Sequence, residues 1–277
     1  MYTERIMRNF SAILFLAAFL CACSGQSLDR DGGDLTRSEV EFLSTRLSVA
    51  VEREFPLLKH QLVNRYVNTL GQSIVSRNPD MPPLPYEFRV LRSNEVLLFS
   101  LPGGVVYVTL GTLRAVELEG QLAAALAHEL AHQQLNHPLQ IWRRKVNSNR
   151  GERNLVDFSG SWRANFLGPG GAIFLPKGME EEADRLSPIV LYRSKFDPRL
   201  YSSYLQLLKK LQIEPGKKVG IMTSLHPPVV ERLAWVKEAL VHIPPLKDGS
   251  LSSPTFRQIK SILQEAAKRG SEKREVE

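Results

Sequence analysis

The chain has 277 residues, 43% of them hydrophobic, and 36 Lys and Arg against 29 Asp and Glu give it a formal charge of +7. That is enough apolar material for one good core or two small ones, and too much for intrinsic disorder. The basic residues are scattered rather than gathered into a stripe, so no nucleic-acid partner is expected, and the charge serves solubility and attraction to anionic membrane surfaces.

The N-terminal stretch MYTERIMRNF carries Arg5 and Arg8, and SAILFLAAFL follows with ten uncharged residues. Ten residues suit the hydrophobic region of a signal peptide and are too few to span a bilayer as a helix. Leu20, Cys21 and Ala22 precede Cys23, which resembles the bacterial lipobox, where the cysteine becomes the lipidated first residue of the mature protein. The expectation is a lipoprotein signal peptide over 1–22, a membrane anchor at Cys23 and a flexible Gly, Ser and Asp-rich tether over 23–35. Ser24 is not the aspartate associated with inner-membrane retention, so the same resemblance implies an outer-membrane lipoprotein facing the periplasm. Cys21 would leave with the signal, so no structural disulfide can form. The competing reading is an uncleaved anchor or a plain secretory signal.

Residues 36–269 read as a single domain. A helix is expected from Thr36 to about Val51. A stronger pattern follows over 57–76, with Val63, Tyr66, Val67, Leu70 and Ile74 on one face. NPDMPPLP breaks it. Three β-like segments come next, YEFRVL from Tyr86, VLLFSL from Val96 and VVYVTL from Val105, separated by RSNE and PGG turns, which reads as a small antiparallel sheet. The stretch from about Glu117 to His137 is the most strongly helical in the chain, its alanines combining high helix propensity with close packing. Residues 138–177 lack a clear period and are read as a long, mobile insertion of the kind that often forms a lid. Helical patterns resume from Met179 to about Lys195, Pro198 to Gln212, Pro227 to about Val241, and Ser253 to Arg269, the last with Ser253 as N-cap and Pro254 in its first turn. A charged tail over 270–277 ends the chain.

The alanine-rich helix contains HELAH, His128 to His132. Two histidines four residues apart lie about 40° apart around a helix, so both rings can reach one ion, with Glu129 poised beside it. A catalytic zinc needs a third protein ligand and an open fourth position. His137 is one candidate, but HQQLNH lacks both the spacing and the intervening glycine of the metzincin arrangement, leaving His137 as a supporting or surface residue. The other candidate is an acid from KGMEEEADRLS, residues 177–187. Glu180 and Asp184 stand four apart, hence on one face, while Glu182 points about 160° away from Asp184. Glu180 is therefore expected on the metal and Asp184 behind a histidine, with Glu181 the fallback and Glu181 and Glu182 otherwise first-turn carboxylates favoured by the helix dipole.

HELAH followed by EEEAD resembles the zinc motif of the gluzincin family containing HtpX and the CAAX prenyl proteases, metallopeptidase family 48. The resemblance implies an α+β, mainly helical zinc-protease fold with a small sheet beside the zinc helix. It implies one Zn2+ per subunit on His128, His132 and Glu180, with Asp184 in support. FSLPGGVVYVTLGTL, RSKFDPRLYSSYLQLLKKL and LHPPVVERLAWV resemble further family segments, although Arg193, Ser194, Lys195 and Phe196 replace residues usually small. Through the last segment His226 and Arg232 map onto residues that approach the active site, where the histidine contacts the metal or helps stabilise the transition state. Leu97 and Leu98 stand where relatives usually have Asn-Ala, which would make a substrate-lining edge unusually apolar.

The expectation is a zinc metalloendopeptidase acting on unfolded or misassembled envelope polypeptides, with Glu129 as general base. Association with outer-membrane assembly machinery rests on resemblance alone. Two rivals stand beside it. One is a non-catalytic zinc-binding lipoprotein chaperone or assembly factor, and the other a protein in which zinc is purely structural.

Overall fold

Thr36 opens the first helix with a reciprocal cap: its hydroxyl accepts from the Glu39 amide, and the Glu39 carboxylate accepts from the Thr36 amide. The structure is a computed structural model that describes residues 35–148, 167–168, 172–173, 175–213, 226–244, 246 and 249–272. The expected signal peptide, Cys23, nearly all of the tether and the last five residues lie outside the described residues. Thr36–Glu277 form one compact unit. Among the described residues no helix is long and apolar enough to cross a membrane.

Helix α1 spans Arg37–Glu54 and α2 spans Gln61–Ser76. The five apolar side chains expected on one face of α2 are all buried. Gly71 lets that face lie flat on the sheet, since a Cβ there would fall 2.4 Å from the Phe88 ring.

The strands are β1 (Glu87–Leu91), β2 (Leu98–Ser100) and β3 (Val105–Thr109), in the order β1-β3-β2. β2 and β3 form the antiparallel hairpin expected from PGG, with Gly103 and Gly104 at φ 88° and 96°, a backbone region that residues with a Cβ rarely adopt. β1 pairs with β3 in parallel, so the sheet is mixed rather than antiparallel. The reason is order, not direction. Consecutive strands alternate up and down, and with the third strand in the middle, the first and third become neighbours running the same way.

Thr109 ends β3 and caps a short helix, α3 (Leu110–Ala115), by accepting from the Thr112 amide. Helix α4, Glu119–Gln134, follows, and every residue from Glu119 to Gln133 is buried. Leu122, Leu126 and Leu130 recur one turn apart along it, each contributing roughly 1.5–3 kcal/mol by burial. Alanines between them let neighbouring elements approach closely. The chain then turns at Asn136, whose φ of 57° is left-handed, a conformation that asparagine tolerates better than most residues.

Helix α5 begins at once, His137–Ser148, where a loop was expected. Among its residues up to Arg143 only His137 and Trp142 are buried, so little apolar patterning marks this part of the helix in the sequence. A two-stranded pair, β4 (Leu167–Gly168) and β5 (Ala172–Ile173), lies later in the same stretch, and residues 149–166 are outside the described ones. Helices α6 (Lys177–Arg193), α7 (Leu200–Ile213), α8 (Val229–Val241) and α9 (Pro254–Glu272) complete the unit. α6 packs along α4, α7 and α8 pack on that pair, and β2 lies against α4. The class is α+β and mainly helical, with the sheet beside the helix that carries HELAH.

Candidate metal centre

Helix α4 points His128 and His132 the same way, and their Nε2 atoms are 3.1 Å apart. Helix α6 delivers Glu180, whose carboxylate oxygens lie 3.5 Å from His128 Nε2 and 3.6 Å from His132 Nε2. All three side chains are buried. Zinc–donor bonds of about 2.0–2.1 Å at a tetrahedral angle place donor atoms about 3.3 Å apart. The three donors therefore fit one zinc ion and leave its fourth direction without a ligand from this triad. Glu181 turns outward, its carboxylate accepting from Arg185 Nε at 3.0 Å. Glu180, not the fallback, faces the histidines.

Behind His128 stands a buried polar cluster. Asp184 Oδ1 is 3.2 Å from His128 Nδ1. Arg232 grips Asp184 with two bonds, Nε to Oδ2 at 2.9 Å and Nη2 to Oδ1 at 2.8 Å, both partners almost fully buried. Burial alone would push the Asp184 carboxyl up, but the Arg232 guanidinium, and then His128, hold it well below the usual carboxylate range. Tyr201 on α7 closes the cluster. Its hydroxyl donates to Asp184, accepts from Arg232 Nη2 at 2.9 Å, and lies 2.9 Å from His128 Nδ1. Sequence reasoning missed Tyr201, because a tyrosine on an apolar helical face reads as core. Arg232 was expected to approach the active site, and it reaches it from behind His128: Asp184 and Tyr201 engage its fork, and Nη2 comes within 3.4 Å of His128 Nε2. Burial and Arg232 oppose protonation of His128, yet the hydrogen bonds of Asp184 and Glu180 outweigh them and raise it to about 9. The same field makes His128 a stronger ligand for a cation.

His132 has a different backing. Its Nδ1 is 2.9 Å from His137 Nδ1, and His137 Nε2 is 3.0 Å from Glu182 Oε2. The left-handed turn at Asn136 does what a glycine would have done and returns His137 to the helix it has just left, one step behind the metal position rather than on it. Glu182 is thus more than a first-turn carboxylate: pointing away from Asp184 is what lets it reach α5. Burial pushes His132 well below the ordinary histidine range, and repulsion from His128 adds to this.

Glu129 is buried beside His128, and its Oε2 accepts a hydrogen bond of 2.9 Å from Ser100 Oγ on β2. Burial raises its carboxyl to about 7 against the opposing pull of His128 and Ser100. A carboxyl poised near neutrality suits a group that must both take and give a proton. Ser100 was also not anticipated, since a serine within an apolar strand carries no signal of its own. His226 lies at the edge of the cluster with Nδ1 2.6 Å from Glu180 Oε2. The seven residues singled out in the sequence, His128, Glu129, His132, Glu180, Asp184, His226 and Arg232, thus come together from α4, α6, α8 and the turn before α8.

The profile described as peptidase family M48 matches residues 61–240, which takes in the sheet, HELAH, Glu180, Asp184, His226 and Arg232. The chain is 26% identical over 222 residues to the beta-barrel assembly-enhancing protease of Yersinia pestis, covering 75% of this chain and 45% of that protein. It is 28% identical over 196 residues to the protein of the same name from Escherichia coli O157:H7, covering 65% and 39%. It is 29% identical over 182 residues to the mitochondrial metalloendopeptidase OMA1 of Schizosaccharomyces pombe, covering 63% and 52%. The matched segment thus spans about half, or less, of each relative's length. The chain belongs to peptidase family M48, a family of zinc-dependent metallopeptidases.

Proposed function

We propose that the protein is a zinc metalloendopeptidase that hydrolyses peptide bonds in unfolded or misassembled envelope proteins, anchored through a lipid on Cys23 to the outer membrane and facing the periplasm. The observation that carries the catalytic part is the buried donor triangle of His128, His132 and Glu180 with the carboxyl of Glu129 beside it. The substrate class and location draw on the relatives named for enhancing β-barrel assembly and on the sequence around Cys23.

His128, His132 and Glu180 hold one zinc ion, which when bound supplies Lewis acidity that acidifies water and polarises a scissile carbonyl. Glu129 takes the proton of the attacking water on its oxygen not held by Ser100, and returns it to the leaving amine. Ser100 keeps the carboxylate from rotating. Arg232 and Tyr201 hold Asp184, and Asp184 holds the His128 ring in the orientation that presents Nε2. His226, tied to Glu180 through Nδ1, carries a second ring nitrogen with no hydrogen bond among the described residues, and that nitrogen serves the developing oxyanion.

The test is metal analysis of the purified full chain together with cleavage of an unfolded β-barrel polypeptide, with and without a chelator. One equivalent of zinc and chelator-sensitive cleavage are expected. Zinc uptake without cleavage would turn the reading to a non-catalytic chaperone, and loss of the fold on chelation to a structural zinc protein.

A further inference from the structure

We propose that His137 and Glu182 are positioning residues for the metal site, a hydrogen-bonded relay that fixes the tautomer and ring orientation of His132 and links a buried ligand to a carboxylate at the surface. The inference rests on the zinc reading above and concerns how tightly that site holds its ion.

The argument starts from two like atoms. His132 Nδ1 and His137 Nδ1 are 2.9 Å apart, a hydrogen-bond distance that requires one proton between them, on one ring only. His132 offers its Nε2 lone pair to the donor triangle, so a neutral His132 ring carries its proton on Nδ1 and donates it outward. His137 must then accept on Nδ1, which places its own proton on Nε2. That nitrogen is 3.0 Å from Glu182 Oε2, an acceptor. One choice at the metal thus sets every proton in the relay. Ring and carboxylate come from different elements, α5 and α6, so the relay also ties the turn after α4 to the helix that carries Glu180.

Burial sharpens the assignment. The His137 side chain is 1% exposed and the Glu182 side chain 63%. A buried ring with both nitrogens engaged has no freedom to flip, whereas its terminal partner meets water. His128 is backed directly by a buried, charge-paired aspartate. His132 is backed by a neutral ring, which gives it the weaker push, and the carboxylate at the end of the relay makes up part of the difference.

The test uses the full chain and zinc alone, in competition with a chromophoric chelator, and the visible absorption of the cobalt(II)-substituted protein as a record of ligand geometry. His137→Phe is expected to weaken zinc binding by about 10- to 100-fold and to shift the cobalt bands. His137→Gln, whose amide can accept from His132 and donate to Glu182, is expected to recover most of that loss. Glu182→Ala removes an exposed group at no risk to the core and is expected to weaken zinc severalfold. If His137→Phe and Glu182→Ala bind zinc as tightly as the unaltered chain, the relay has no role at the metal. His128→Ala separates the two readings. An unaltered chain that takes up no zinc overturns both, while zinc binding abolished by His128→Ala but untouched by the relay variants overturns the relay alone.

Discussion

Two buried glutamates stand ten residues apart on α4, and their surroundings differ in one respect that decides what each can do. Glu119, at the start of the helix, accepts three hydrogen bonds, from Tyr66 Oη at 2.9 Å, Ser253 N at 2.6 Å and Ser253 Oγ at 2.8 Å. Glu129 accepts one among the described residues, from Ser100, and burial raises its carboxyl to about 7. A carboxylate surrounded by donors is a fixed joint, here fastening α2 and α9 to the start of α4. One with a single donor keeps lone pairs in hand and holds its proton loosely near neutral pH. On the proposed reading, the same side chain on the same helix is structural at one end and reactive at the other.

The sharpest way to break this contrast is Glu129→Gln. Cleavage of an unfolded substrate is expected to fall by about 10²- to 10⁴-fold, with zinc still bound and no loss of thermal stability. Unchanged turnover would end the assignment of Glu129 as base. The pH profile carries the same information. Glu129 must be unprotonated to act, so kcat/KM declines as pH drops through its pKa. Bound zinc would move that point downward from about 7, because a cation beside a carboxyl lowers its pKa. A profile whose acid limb lies well above pH 7 would point to another group.

Glu119→Gln probes the other end. An amide NH2 would face a hydroxyl or amide donor in a buried setting, and urea denaturation is expected to show a loss of about 1–3 kcal/mol with turnover per folded molecule intact. A variant that instead lost activity while keeping its stability would erase the distinction between the two ends. Ser100→Ala tests the finest part of the contrast. Loss of that one bond frees Glu129 to rotate, for an expected fall in kcat of up to about tenfold. Identical kcat values would show that Ser100 merely packs there.

Much of what depended on helical phase was legible in the sequence, although helix α5 was not. The buried face of α2, the shared face of His128 and His132, and the choice of Glu180 over Glu181 all follow from 3.6 residues per turn. What depended on tertiary approach was not. RSNE and PGG announce turns but carry nothing about which strand lies in the middle, so the mixed sheet was hidden. Tyr201 and Ser100 become polar partners only once α7 and β2 lie against α4. His137 and Glu182 were each noticed and read separately, because the left-handed turn that joins them hangs on Asn136, a residue equally common in ordinary loops.

The central place of β3 also sets a timetable for assembling the site. Its hairpin with β2 closes over three residues, an event of about 1–10 μs. β1 meets it from 18 residues upstream, pairing Glu87 with Val105. Glu180 lies 48 positions beyond His132, and wider loops cost more entropy to close, about 0.6 kcal/mol for each doubling. Loop lengths alone therefore predict that the strand bearing Ser100 forms before Glu180 reaches the histidine pair. On the zinc reading, capture of the metal would follow that approach, and stopped-flow refolding is expected to show the same early phases with and without zinc.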